Sequence, residues 1–217
     1  MTKKKKISII GSTGQIGKQT VDIIKNSKNF KISLISCEKD IKTLSDQIKN
    51  QKPAAVYIES EESKKKFKKL KFKHKFHLLE NDYELANYCS SPSTDILVAC
   101  SSGTNSIKST IAALKSNKKV CIASKEIFML YGRQLMKISK KYKNIILPID
   151  SEHSGIFQTL NPQDKKTIKS IYITASGGPF FALKTSELKK VTIKRALKHP
   201  TWKMGNKITI DSATLMN

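Results

Sequence analysis

Several segments of this chain combine residue types able to do chemistry. In Gly11-Ser12-Thr13-Gly14-Gln15-Ile16-Gly17, three glycines recur at three-residue spacing between an apolar run and a helical pattern. Glycines let a backbone turn sharply and approach a pyrophosphate, and the following helix N-terminus offers amide hydrogens and partial positive charge. The other reading is a plain strand-to-helix turn. Glu38 and Asp40 lie where a nucleotide-binding sheet often carries an acid that grips a ribose hydroxyl, whereas Lys39 between them suits a 2'-phosphate. These residues leave NAD against NADP open.

Asp150 and Glu152 are two residues apart. On a strand end they face one side and can share a divalent cation through hard oxygen ligands, with a third ligand required. The bland alternative is a solvated acidic loop. Ser151 and His153 stand beside them, and His153 reads as a ligand or as a packed or capping histidine. Ser176-Gly177-Gly178 after an apolar run is an anion nest or an ordinary turn. His199, ahead of Pro200 and Trp202, is a polar contact on a mobile flap or an anchor of a loop on the core. Lys125, in Ala123-Ser124-Lys125-Glu126, follows a predicted strand, where it suits an oxyanionic substrate; a surface lysine is the default in this chain.

The elements that must position these residues alternate. Ile7–Ile10, residues 30 to 36, Ala54–Ile58, Asp95–Ala99, Val120–Ala123 and Ile145–Leu147 read as strands. Helical patterns begin at Ile16 and cover Leu44 to Ile48, 107 to 115 and 127 to 141, with a charged helix and loop over 59 to 75. Strand–helix alternation predicts the α/β class: a Rossmann-type doubly wound parallel sheet. At Pro148 polar residues begin to cluster, so the reading divides the chain into a first domain, residues 1–148, and part of a second α/β domain, residues 149–217. In that second part Ile168 to Thr174 reads as a strand and Ser186 to Ala196 as a helix.

A net charge of +24 invites a nucleic-acid partner. Against this, Arg133 and Arg195 are the two arginines of the chain, and base readout and planar phosphate forks favour guanidinium groups. The lysines are spread over solvated faces, and their field still favours a phosphorylated small substrate. Cys37, Cys89, Cys100 and Cys121 form no C-x-x-C pair and read as reduced thiols of a cytoplasmic protein. The lysine-rich start passes straight into an apolar strand, so neither a cleaved leader nor a membrane span is expected.

Taken together, the segments resemble the 1-deoxy-D-xylulose 5-phosphate reductoisomerase family. The resemblance rests on the glycine loop, on Ala123-Ser124-Lys125-Glu126, on Pro148-Ile149-Asp150-Ser151-Glu152-His153-Ser154 and on Ser176-Gly177-Gly178-Pro179-Phe180. It continues through His199-Pro200-Thr201-Trp202-Lys203-Met204-Gly205 and from Lys207 to Asn217, in family order. It implies NADPH as cofactor, a divalent metal (magnesium or manganese) on Asp150 and Glu152, and a small phosphorylated sugar as substrate. Lys125, Ser151, Glu152, Ser176, His199, Ser212 and Asn217 would then contact substrate. Gly11, Thr13, Gly14, Gln15, Ile16, Lys39, Asp40, Ser124, Glu126 and Gly205 would line the cofactor. The implied reaction is isomerisation and reduction to 2-C-methyl-D-erythritol 4-phosphate, under a flap carrying Trp202. A homodimer is implied for the full-length family.

Two departures qualify the match. Glu38 and Asp40 stand where the family tends to have Gly and Asn. The family also continues past the position of Asn217 with a Lys-Gly segment that carries a third metal carboxylate, then a helical domain. The chain alone is therefore expected to fold its first domain and bind NADPH, with little or no turnover. Two rivals stay open: a basic nucleic-acid-binding protein on the same fold, and a semialdehyde-dehydrogenase-like oxidoreductase, which needs Cys100 or Cys121 as nucleophile.

Overall fold

The computed structural model describes residues 4–160 and 165–214. Seven strands, β1 Lys5–Ile10, β2 Phe30–Cys37, β3 Ala55–Ile58, β4 His77–Leu79, β5 Ile96–Ala99, β6 Lys119–Ile122 and β7 Ile146–Pro148, form one sheet. Its order is β4-β3-β2-β1-β5-β6-β7, and every pairing is parallel. The chain winds outward from β1 to one edge, then returns and winds to the other. The expected doubly wound sheet is therefore present, with its switch point between β1 and β5.

Helices cover both faces, which is why the strands read as unbroken apolar runs. On one face Ile7 and Ile9 of β1 pack with Val21 and Ile24 of α1 (Gln15–Lys25), Leu44 and Ile48 of α2 (Ile41–Gln51) and Phe67 of α3 (Glu61–Phe67). On the other face Ile10 and Leu97 meet Leu85 of α4 (Asp82–Ser90), Leu114 of α5 (Ile107–Lys115) and Ile127 and Leu135 of α6 (Lys125–Lys141). A register shift opposite Ile7 and Ser8 lets β2 change phase, so Ile32 and Ile35, three residues apart, both face α1 and α2.

The chain divides into two compact units, Met1–Ser154 and Gly155–Asn217. Helix α7, Ser151–Leu160, begins inside the first, where Ile149 N donates to Ile122 O at 2.8 Å and holds the end of β7 to the sheet. The second unit contains α8 Thr185–Leu188, α9 Ile193–Ala196 and α10 Asn206–Ala213. Two expectations fail there. Residues 168–174 are not a strand, because no other strand runs beside them among the described residues, and Ile171, Tyr172 and Ile173 stay exposed. The helix expected from Ser186 to Ala196 is two short helices, broken where Lys189, Lys190 and Val191 turn before Thr192 caps α9. Asn217 lies outside the described residues.

Candidate functional site

The crevice of a doubly wound sheet opens at the carboxyl ends of the strands flanking the switch point. Here those are the ends of β1 and β5, and the glycine loop leaves β1 at that place. Gly11 has φ +81, and a β-carbon there would lie 2.7 Å from Ser101 N, so the loop can pass β5 only with glycine. At Gly17 a β-carbon would lie 2.6 Å from Ser12 Cα and closer still to Gly11 O; α1 can start tight against the loop for want of that atom. Gly14 is the N-cap of α1 and brings no side chain to its first amides. Thr13 and Ile16 are half-buried, while Gly14 and Gln15 are exposed.

Two residues not singled out above hold this loop. Ser36, buried at the end of β2, accepts Gly11 N at its Oγ (3.0 Å) and Ser12 N at its carbonyl (2.8 Å). Gln47, 8% exposed on α2, donates from Nε2 to Ser12 O at 2.8 Å, and its Oε1 accepts from Ser12 Oγ at 2.7 Å. The signal for Gln47 was its position three residues past Leu44 and next to Ile48, on the buried side of α2. Ser101 Oγ, beside Gly11, is buried with no hydrogen-bond partner among the described residues. A buried hydroxyl left so costs about 1–3 kcal/mol until something bonds to it. Loop, bare helix start and orphan hydroxyl together fit a dinucleotide pyrophosphate.

After β2, Glu38, Lys39 and Asp40 are all exposed. Lys39 Nζ lies 3.0 Å from Glu38 Oε1. Asp40 caps α2, its Oδ1 accepting Thr43 N at 3.0 Å. Partial burial opposes its ionisation, but the bonds from Thr43, with Lys18 and Lys42 nearby, outweigh that and hold its carboxyl below the ordinary range. After β6, Ser124 occupies the N-cap position of α6 without a side-chain capping bond; its Oγ donates instead, 2.5 Å from Gly103 O and 2.8 Å from Glu126 Oε2. Lys125 opens α6 and is 6% exposed, which departs from the surface default.

Asp150 and Glu152 are not at a strand end, as their spacing had suggested: β7 stops at Pro148 and α7 starts at Ser151, so Glu152 is in the first helical turn. Asp150 sits at the capping position, where its Oδ1 accepts His153 N at 3.4 Å. Ser151 Oγ donates to Glu152 Oε2 at 2.6 Å. His153 packs edge-on to Phe128, with ring centroids 5.7 Å apart. Both carboxylates carry hard oxygens of the type a divalent cation takes. Among the described residues no group of three metal-binding side chains is assembled, whereas a divalent site takes more than two ligands.

Within the second unit, three residues far apart in sequence meet. Ser176 Oγ lies 2.9 Å from His199 Nε2 and 3.0 Å from Ser212 Oγ, and Ser212 Oγ is 3.4 Å from His199 Nε2. On the opposite side of the ring, Nδ1 accepts Thr201 N (3.1 Å) and Trp202 N (2.8 Å). A neutral ring so placed carries its proton on Nε2 and donates toward the serines, leaving a hydroxyl hydrogen to offer an anion. Gly177 and Gly178 both have positive φ, and Gly178 N donates to Ser176 Oγ at 3.3 Å. Gly205 caps α10.

The sequence profile described as 1-deoxy-D-xylulose 5-phosphate reductoisomerase matches residues 7–132, and that of the family's C-terminal domain matches residues 146–217. A reductoisomerase of that name from Endomicrobium trichonymphae is 43% identical over 98% of the chain and 56% of its own length. The Pelodictyon phaeoclathratiforme protein is 41% identical over 97% of the chain and 56% of its own length. A crystal structure of DOX-P reductoisomerase with NADPH, fosmidomycin and magnesium superposes with TM-score 0.84 at 30% identity, over 98% of this chain and 55% of that one. The Zymomonas mobilis enzyme with NADPH gives 0.85 at 29%, over 99% and 55%. The chain thus spans a little over half the length of the relatives it matches.

Proposed function

Since the chain belongs to the 1-deoxy-D-xylulose 5-phosphate reductoisomerase family, we propose that it serves the NADPH- and metal-dependent isomerisation and reduction of 1-deoxy-D-xylulose 5-phosphate to 2-C-methyl-D-erythritol 4-phosphate. In this reading residues 1–148 hold the cofactor and residues 149–217 contribute the beginning of the catalytic domain. The observation that carries it is the glycine loop at the switch point, fixed by Ser36 and Gln47 beside the orphan hydroxyl of Ser101.

When bound, NADPH supplies a hydride, and a divalent cation supplies Lewis-acid polarisation of neighbouring oxygens. The chain's residues do the rest. The backbone of Gly11, Thr13, Gly14, Gln15 and Ile16 receives the pyrophosphate at the start of α1. Lys39 and Asp40 border the ribose, and Ser124, Glu126 and Gly205 line the rest of the cofactor. Asp150 and Glu152 hold the cation. Lys125, Ser151, Glu152, Ser176, His199, Ser212 and Asn217 are the candidate substrate contacts, of which Ser176, His199 and Ser212 meet within the second unit. Trp202, whose N–H donates to His199 Nδ1, lies on the flap that the family resemblance implies.

The implied partner is a small phosphorylated sugar, with a second copy of the chain in the full-length protein, a cytoplasmic setting and no nucleic acid. Among the described residues no helix is long and apolar enough to cross a membrane. The scarcity of arginine in a chain of charge +24 speaks against nucleic-acid readout. The test is a titration of the chain with NADPH, followed by nicotinamide fluorescence. Saturable binding that Gly11→Val abolishes supports the reading, and no binding by the folded wild-type chain overturns it.

A further inference from the structure

Strand β4 forms one edge of the sheet, and the segment that leads into it from α3 is crowded with lysine. Some of that charge is answered locally: Lys64 pairs with Glu61 at 2.7 Å, Lys66 with Glu62 at 2.6 Å and Lys68 with Glu80 at 2.9 Å. Lys65, Lys69, Lys71, Lys73 and Lys75 are exposed and make no ion pair among the described residues. The neighbouring carboxylates are already taken, so the charge of these lysines stays uncompensated.

Aromatic packing fixes where they point. Phe67, buried on α3, has the ring of Phe72 at 5.1 Å and that of Phe76 at 6.0 Å, and Phe72 meets Phe76 edge-on at 5.3 Å. His74 Nε2 lies 2.7 Å from Pro53 O, just before β3. Phe72, His74 and Phe76 are half-buried, and the residues between them, Lys71, Lys73 and Lys75, are turned outward. Leu70, between the helix and this ribbon, is 46% exposed, an apolar side chain set among free cations.

We propose that this strip is a docking surface for an anionic lipid bilayer: Lys65, Lys69, Lys71, Lys73 and Lys75 meet lipid phosphates, and Leu70 enters the headgroup boundary. A lysine held near such a surface strengthens attachment about fivefold. Single-stranded nucleic acid, the other common polyanion, takes aromatic faces to stack on, and here Phe72 and Phe76 are packed against each other. The strip lies at the amino ends of β3 and β4, whereas a dinucleotide crevice opens at the carboxyl ends, so docking leaves the crevice unobstructed.

The experiment sediments the 217-residue chain with vesicles of phosphatidylcholine alone and with vesicles in which one lipid in three is phosphatidylglycerol, at about 0.1 M salt. The wild type is expected on the anionic vesicles and not on the neutral ones. Combining Lys65→Gln, Lys69→Gln, Lys71→Gln, Lys73→Gln and Lys75→Gln is expected to weaken attachment about a hundredfold or more. Lys71→Gln with Lys73→Gln, which disturbs no packed side chain, is expected to lose about twentyfold and decides the matter if the larger variant does not fold. A charge-matched control, Lys25→Gln, Lys28→Gln, Lys31→Gln, Lys115→Gln and Lys140→Gln, removes exposed lysines outside the strip and is expected to stay within about fivefold of the wild type. No attachment of the wild type, or equal losses in strip and control, overturns the proposal. So does a strip-dependent shift of generic RNA by a chain that ignores the vesicles, which assigns the strip to nucleic acid.

Discussion

The Nδ1 atom of His199 accepts the backbone N–H of Trp202 at 2.8 Å, with that of Thr201 at 3.1 Å beside it. The loop carrying the tryptophan thereby fixes which nitrogen of the imidazole faces Ser176 and Ser212. In long-range nitrogen–proton NMR spectra of the neutral ring, the expected proton is on Nε2. Trp202→Pro removes the shorter of the two donors, and its spectrum is expected to move toward a mixture of tautomers. A neutral wild-type ring protonated on Nδ1 would contradict the arrangement.

Gly17→Ala tests the closure of the glycine loop. The new methyl group meets Ser12 Cα at 2.6 Å, which is backbone and cannot swing aside. Urea unfolding is expected to show a loss of about 1–3 kcal/mol, with weaker dinucleotide binding in the fraction that folds. The same change at Gly14, where the nearest contact is Gly11 O at 3.4 Å, is expected to cost less.

The cysteines separate this reading from a thiol-dependent dehydrogenase. Burial pushes the Cys100 thiol up to about 12, against a weak opposing bond from Thr20, and burial also raises Cys121. At pH 8 Cys100 is then thiolate to roughly one part in ten thousand, far too little for a nucleophile. Slow iodoacetamide labelling of the native chain, with rapid labelling after unfolding, is the expected pattern. Rapid native labelling at Cys100 would revive the rival.

Glu59 gives a pH signature. Partial burial, then the charges of Glu38 and Asp82, raise its folded pKa above the unfolded value. A raised carboxyl favours folding below the unfolded pKa and loses that contribution as pH rises through the folded pKa. Glu59→Gln keeps an oxygen for Asn105 Nδ2, which now sits 2.5 Å from Glu59 Oε1. Its melting temperature is expected to exceed the wild type's at pH 7 and to converge on it as the buffer is acidified. A gap that widens on acidification would reverse the sign.

Residues with strictly local instructions were the legible ones. Gly11 and Gly17 announce a turn that no other side chain permits, and the apolar runs of a parallel sheet buried on both faces mark β1, β2 and β5. The one-residue gap between Asp150 and Glu152 fits a strand end, but an aspartate followed by Ser151 and Glu152 also starts a helix, and here the helix begins at Ser151. Ile171 and Ile173 have the composition of a strand, but a strand needs a neighbour, and sequence pattern does not supply one. The meeting of Ser176, His199 and Ser212 is set by tertiary folding and has no local signature. Gln47 has no local signature of its role either, since a polar residue on a helix reads as surface until its partner, here Ser12, is known.

The clasp formed by Ser36 and Gln47 bears on kinetics as well as shape. The glycine loop is tied to both β2 and α2 by the bonds of Ser36 and Gln47, and a loop so held has little backbone disorder left to lose. Ordering a loose loop subtracts from affinity and slows capture, since productive encounters must wait for the right backbone. On the proposed reading, replacing Ser36 or Gln47 is therefore expected to slow dinucleotide association more than it speeds release.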